Sequence, residues 1–119
     1  MENKNFLKLP SANKIDLCTK WKEEHNERKR LAIIQKYSLD KWNINDEGLQ
    51  SITKLASRIC NTPFSFISLV QKKNITFLSR FGTNLTSTKR LNSFCDRAIE
   101  QEDFFAVVNS CNDPRFKEH

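Results

Sequence analysis

Pro63-Phe64-Ser65-Phe66-Ile67-Ser68-Leu69-Val70, Gln71-Lys72-Lys73-Asn74 and Ile75-Thr76-Phe77-Leu78-Ser79-Arg80-Phe81-Gly82 follow one another in the middle of the chain. Two runs rich in aromatic and branched residues flank a polar four-residue turn, which predicts a β-hairpin with strands over 64–70 and 75–81. Gly82 ends it. Immediately upstream, Leu49, Ile52, Leu55, Ala56 and Ile59 recur at helical spacing, so 45–60 is predicted as a helix with that apolar face turned inward. Asn45 is placed to cap its start, Asp46 and Glu47 suit the positive end of its dipole, and Asn61 and Pro63 stop it.

Working outward, the pattern from Ile15 to Tyr37 is helical, with Leu17, Trp21, Leu31, Ile34 and Tyr37 as its apolar positions. The turns over 22–30 are almost wholly charged, so this is either two short helices or one docked at its ends. Glu24 is placed to pair with Arg28 four residues on. Beyond the hairpin, Thr83–Arg90 is rich in Thr and Ser and reads as a loop. Asn92 is positioned to cap a short helix to Glu100 with Phe94, Ala98 and Ile99 inward, and Phe104–Asn109 reads as a third strand. Asp113 before Pro114 is a helix-start pair. These elements describe an α/β (α+β) fold, an antiparallel sheet with flanking helices.

The chain has 119 residues, enough for one domain, and 38% of them are apolar, below the usual globular share, so the core is expected to be thin. The longest apolar run, Phe64–Val70, is broken by serines and too short to cross a bilayer; no membrane association is expected. Residues 1–10 lack the continuous apolar stretch of a secretory leader, which makes the expected compartment cytoplasmic. The net charge is +6; residues 1–36 hold nine Lys/Arg against five Asp/Glu, and the remainder holds eleven against nine. The excess thus lies mainly in the N-terminal part, interleaved with glutamates as on a solvated helix face. No basic-aromatic strand pattern or helix-turn-helix spacing accompanies it, so nucleic-acid binding ranks below other readings.

Chemistry-bearing residues are sparse. Cys18, Cys60, Cys95 and Cys111 contain no C-x-x-C pair, and only His25 and His119 are at hand to complete a zinc site. No metal or cofactor is expected. Isolated cysteines act as small apolar residues; Cys95, in the first turn of a predicted helix beside Arg97, also admits a redox reading, alone or paired with Cys111. Two glycines cannot build a phosphate loop, and no Ser-His-Asp order appears. The expectation is a non-enzyme with no catalytic residues.

In order and spacing, the hairpin runs Phe64–Val70 and Phe77–Gly82, the segment Ser93-Phe94-Cys95-Asp96-Arg97-Ala98-Ile99, Val107-Val108 and Asp113-Pro114-Arg115-Phe116 resemble the first half to two-thirds of a GAF domain. That family is the small-molecule-sensing α/β module of signalling proteins such as bacterial sensor kinases and diguanylate cyclases. The likeness covers about Arg28 to Phe116 and implies an N-terminal arm over 1–21 followed by a partial GAF-like domain over 22–119. It further implies that later strands bridge the hairpin and the third strand, so that here the sheet has a gap and open edges. Where this chain has Gln71, Asn74-Ile75-Thr76-Phe77 and Asn109, the family commonly has an acid, Arg-Gln-Trp-Phe and Asp. The Phe residues are core by ordinary expectation; by resemblance, Phe94, Cys95, Phe105 and Val107 instead line a ligand pocket. The function implied is a truncated sensory module without self-contained activity. The alternatives are an interaction protein whose open sheet is completed by a partner chain or a second copy, a small basic nucleic-acid-binding protein, and a thiol-dependent reductase.

Overall fold

A computed structural model describes residues 11–116. The first ten residues of the expected arm over 1–21 lie outside the described residues, as does His119. The chain divides into two units, one ending at Tyr37 and the other beginning at Ser38. The first holds α1 (Ser11–Lys36), a single helix rather than two short ones, and the 21/22 boundary falls inside it. Its charged middle is stabilised locally: Arg30 grips Glu27 through both carboxylate oxygens (Nε to Oε2 3.0 Å, Nη2 to Oε1 2.8 Å), and Trp21 stacks on His25 one turn away at 5.1 Å.

The second unit is an α+β fold. After a 3₁₀ turn (Leu39–Lys41), it runs α2 (Glu47–Cys60), β1 (Ser65–Val70), β2 (Asn74–Phe81), β3 (Ser87–Lys89) and α3 (Phe94–Ala98), with the strands in one antiparallel sheet ordered β1-β2-β3. α2 starts one residue later than expected because Asp46, not Asn45, accepts the Leu49 amide at 3.0 Å. Its end is a left-handed Asn61 (φ 50°), with the Asn61 amide bonded to Arg58 O and the Thr62 amide to Ser57 O, the paired bonds of a Schellman stop. The hairpin closes through Gln71 N to Asn74 O at 2.8 Å, and a bulge between Ile67 and Ser68 shifts its register. Gly82 (φ 85°) is obligatory: a Cβ there would sit 2.0 Å from Pro63 O.

Three expectations are corrected. First, the third strand is Ser87–Lys89, from the segment read as a loop, and it pairs with β2 (Ile75 opposite Thr88), so the three strands are contiguous. Its hydroxyl side chains hid a backbone free to complete the outer edge of β2. Second, Phe104–Asn109 forms no strand. Its residues alternate in burial, with Phe105 and Val107 half-buried between exposed neighbours, but no strand among the described residues offers it a ladder. Third, α2 docks by a different face. Ile52, Leu55 and Ile59 are 56%, 58% and 74% exposed, whereas Thr53 and Ser57 are buried.

The docking face of α2 is therefore a seam of hydroxyls. Thr53 Oγ1 lies 2.9 Å from Ser79 Oγ on β2 and also donates within the helix to Gln50 O at 3.0 Å. Ser65 Oγ on β1 donates to Thr53 O, and Ser57 Oγ to Thr62 O. Small side chains let helix and sheet approach closely, and each buried hydroxyl has a partner. Beside the seam lies a compact core of Val70, Ile75 and Phe77, with Cys95 packed against it and Phe66 tilted on Phe77 at 4.4 Å. Thr53→Val strands the fully buried Ser79 hydroxyl and is expected to cost about 1–3 kcal/mol in urea unfolding. Adding Ser79→Ala should restore part of that loss, since removing both partners is cheaper than orphaning one.

Candidate functional site

The aromatic residues that follow the sheet converge from the start of α3 and from a segment without regular secondary structure. Ser93, buried, caps α3 by accepting the Asp96 amide at 3.1 Å, which fixes Phe94 at the helix start; Asn92, the expected cap, is instead a left-handed residue with φ 59°. From Gln101 the chain runs in bends and turns. Asn109 organises one of them, its carbonyl accepting the Asp113 amide (3.0 Å) and its side chain the Cys111 amide (3.1 Å). Asp113 then takes the capping geometry expected of Asp before Pro: Oδ1 accepts the Arg115 amide at 3.0 Å and Arg115 Nε at 2.9 Å. Within the described residues this remains a turn, closed by Phe116 N to Asp113 O.

That turn delivers Phe116 into a buried position against Phe94 (ring centroids 4.4 Å) and Phe105 (6.3 Å, edge-on). The Arg115 guanidinium, oriented by Asp113, lies 5.0 Å from the Phe105 centroid and 5.5 Å from that of Phe116. The sequence marks Asp113 and Pro114 as a helix-start pair and gives Arg115 no role, whereas its guanidinium covers the rings; a cation beside an aromatic, Arg115-Phe116, is the available signal. Phe94, Phe105, Val107, Val108, Asn109 and Ser110 line an open depression of about 500 Å³. Three of the four residues expected at a ligand pocket thus meet there. Cys95 does not: it faces the Val70–Ile75–Phe77 core.

The lining combines four apolar side chains (Phe94, Phe105, Val107, Val108) with an amide and a hydroxyl (Asn109, Ser110). Such a surface offers stacking area and a few orienting hydrogen bonds, and no titratable group stands in it. All four cysteines are free, Cys95 and Cys111 included, so no disulfide joins that pair. Among the described residues, no three His, Cys, Asp or Glu side chains gather as a metal site, and no helix is long and apolar enough to cross a membrane.

A second hollow, of about 370 Å³, is lined by Lys72, Lys73, Arg90, Leu91 and Asp96. No expectation from the sequence placed a site there.

No protein-family model matches the chain. Over 74 residues it is 31% identical to a cyclic di-GMP phosphodiesterase of Pseudomonas aeruginosa, a stretch that is 62% of this chain and 13% of that protein. The chain therefore spans a small part of the relative's length, and the similarity is a distant one to a segment of a bacterial signalling-related protein.

The hydrogen bonds from the Arg115 side chain and amide hold the Asp113 carboxyl down to about 2, from an ordinary 3.8. A depressed carboxylate stabilises its surroundings above its ordinary pKa, and that stabilisation is lost as pH falls towards the depressed one. Ring resonances of Phe105 and Phe116 are accordingly expected to hold steady from about pH 7 to about pH 4 and to move as the pH falls through the depressed value of about 2. Asp113→Asn should abolish that transition in an NMR titration.

Proposed function

We propose that this chain is a sensory module of the GAF type from a bacterial signal-transduction protein, and that the depression beside Phe94, Phe105 and Val107 is its small-molecule site. The observation that carries the reading is the convergence of those three residues, 94, 105 and 107, on one hollow. They are the positions at which the family resemblance implies a pocket. The distant similarity to part of a cyclic di-GMP phosphodiesterase supports the signalling context. Its wall holds no acid, base or thiol, which favours binding over turnover, so we read the module as non-enzymatic. A ligand there acts by favouring one arrangement of the turn segment over another, and its effect is limited by its differential affinity for the two.

The apolar-plus-amide lining favours a flat ring with a hydrogen-bonding edge, and indole is a suitable probe. Titrating indole into the chain is expected to shift Phe94, Phe105 and Val107 resonances, and Val107→Trp, which fills the hollow, should abolish the shifts while leaving those of Ile75 and Phe77 in place. Equal shifts in Val107→Trp, or none in the wild type, reject the site.

A second reading rests on a separate observation. β1 has a neighbour on one edge alone among the described residues, and Ile52, Leu55 and Ile59 stand exposed on α2. An open edge is a template for another strand. On this reading the chain self-associates through β1, and sedimentation from micromolar to millimolar concentration shows dimers. The Gln71 amide turns to Asn74 O, so by alternation the Ser68 amide faces the open edge, and Ser68→Pro, which cannot donate there, returns the chain to monomer. A concentration-independent monomer rejects it.

A further inference from the structure

From Gly48 to Cys95 the chain carries seven Lys/Arg and no Asp or Glu. The fold gathers four of those cations at one end of the sheet. Pairing of β2 with β3 sets Lys89 opposite Asn74, and the Arg90 amide donates to Lys73 O at 3.0 Å. The Arg90 side chain then ties three segments together: Nη1 donates to Gln71 O at 2.9 Å and Nε to Asp96 Oδ1 at 2.7 Å. This brace links the hairpin turn to α3 and forms the 370 Å³ hollow of Lys72, Lys73, Arg90, Leu91 and Asp96.

We propose that this hollow binds the phosphoryl group of a small phosphorylated molecule. The charge balance favours an anion. Asp96, the acid in the lining, is already engaged by Arg90, and among the described residues neither Lys72 nor Lys73 has an ion-pair partner. Lys72 and Lys73, on a two-residue turn, line the hollow with two ammonium-bearing side chains, and the Arg90 guanidinium, engaged by Asp96 and Gln71 O, holds that turn in place. Lysine ammonium groups are point charges suited to phosphate oxygens. The volume suits a compact ligand, at the lower end of the range for small-molecule sites. Leu91 supplies an exposed apolar wall for the part that carries the phosphate. The cations converge on one concavity and do not form a stripe along a strand or helix, which favours a small anion over a nucleic-acid backbone. The hollow shares no lining residue with the apolar depression, so this proposal stands apart from the sensory reading.

The test titrates the full chain with inorganic phosphate and, separately, with adenosine 5′-monophosphate, following backbone amides by NMR. Both are expected to shift residues 72–74 and 90–91. Lys72→Ala with Lys73→Ala should weaken both about tenfold, and Lys72→Gln with Lys73→Gln should do the same. Lys20→Ala with Lys22→Ala removes equal charge from α1 and should leave affinity unchanged. Tighter binding of the monophosphate assigns the site to a phosphorylated organic molecule; equal affinity assigns it to the free anion. Absence of shifts at about 10 mM ligand overturns the proposal. So does equal weakening by the two alanine pairs, which means diffuse charge. Binding of single-stranded DNA that tightens with length beyond the monophosphate also overturns it, in favour of a polyanion surface.

Discussion

The contact between Thr53 and Ser79 governs how the rest of the second unit is arranged. A helix as amphipathic as α2 is expected to dock through Ile52, Leu55 and Ile59, yet it rests on the sheet through small hydroxyl side chains. The close approach permitted by Thr53 and Ser57 is only affordable because each hydroxyl is satisfied, within the helix, across to β2, or at the Schellman stop. Rotating α2 to bury its large residues would separate it from the sheet and orphan Ser79, which has no exposure to water. The polar seam therefore fixes the rotation of α2, and the exposed apolar stripe is its geometrical consequence.

A second constraint acts where secondary structure has run out. Residues 101–116 have no ladder, and their position depends on Phe116 wedged between Phe94 and Phe105 under the Arg115 guanidinium. The Asp113–Arg115 pair is short-range and exposed on the arginine side, so its own contribution to stability is small. Its role is orientation: it aims a planar cation at the rings of Phe105 and Phe116, of which Phe105 lines the depression. Asn109, also in the lining, fixes the turn by accepting hydrogen bonds from the Asp113 and Cys111 amides.

What the sequence disclosed follows from which signals were local. The hairpin, α2 and its Asn61 stop were legible because period, turn composition and capping act within a few residues. β3 was not, since Ser87-Thr88-Lys89 has no apolar alternation and exists because β2 has an edge to fill. Phe104–Asn109 shows the converse error: the alternation is present, Phe105 and Val107 do turn inward, and no ladder forms. The face on which α2 docks was hidden for a related reason, since hydropathy ranks Ile above Thr but says nothing of partnered hydroxyls. Of the four residues that the family likeness groups, Phe94, Phe105 and Val107 line one depression, while Cys95, adjacent in sequence to Phe94, packs a helical step away on the core. The basic hollow left no mark in any single segment, because its two cation pairs lie 16 residues apart (Lys73 to Lys89) and meet through strand pairing.

α3 joins these features. Over three consecutive residues it sends Phe94 to the apolar depression, Cys95 to the core and Asp96 to the Arg90 brace. A helix of five residues has almost no stability of its own and stands only because Ser93 caps it and its neighbours hold it. Anything that displaces Phe94 therefore works against the same short helix that carries Asp96, and the cost is set by the Ser93 cap and the Arg90–Asp96 pair. The two hollows share no lining residue, and what they have in common is this one turn of helix, with Phe94 in one lining and Asp96 in the other.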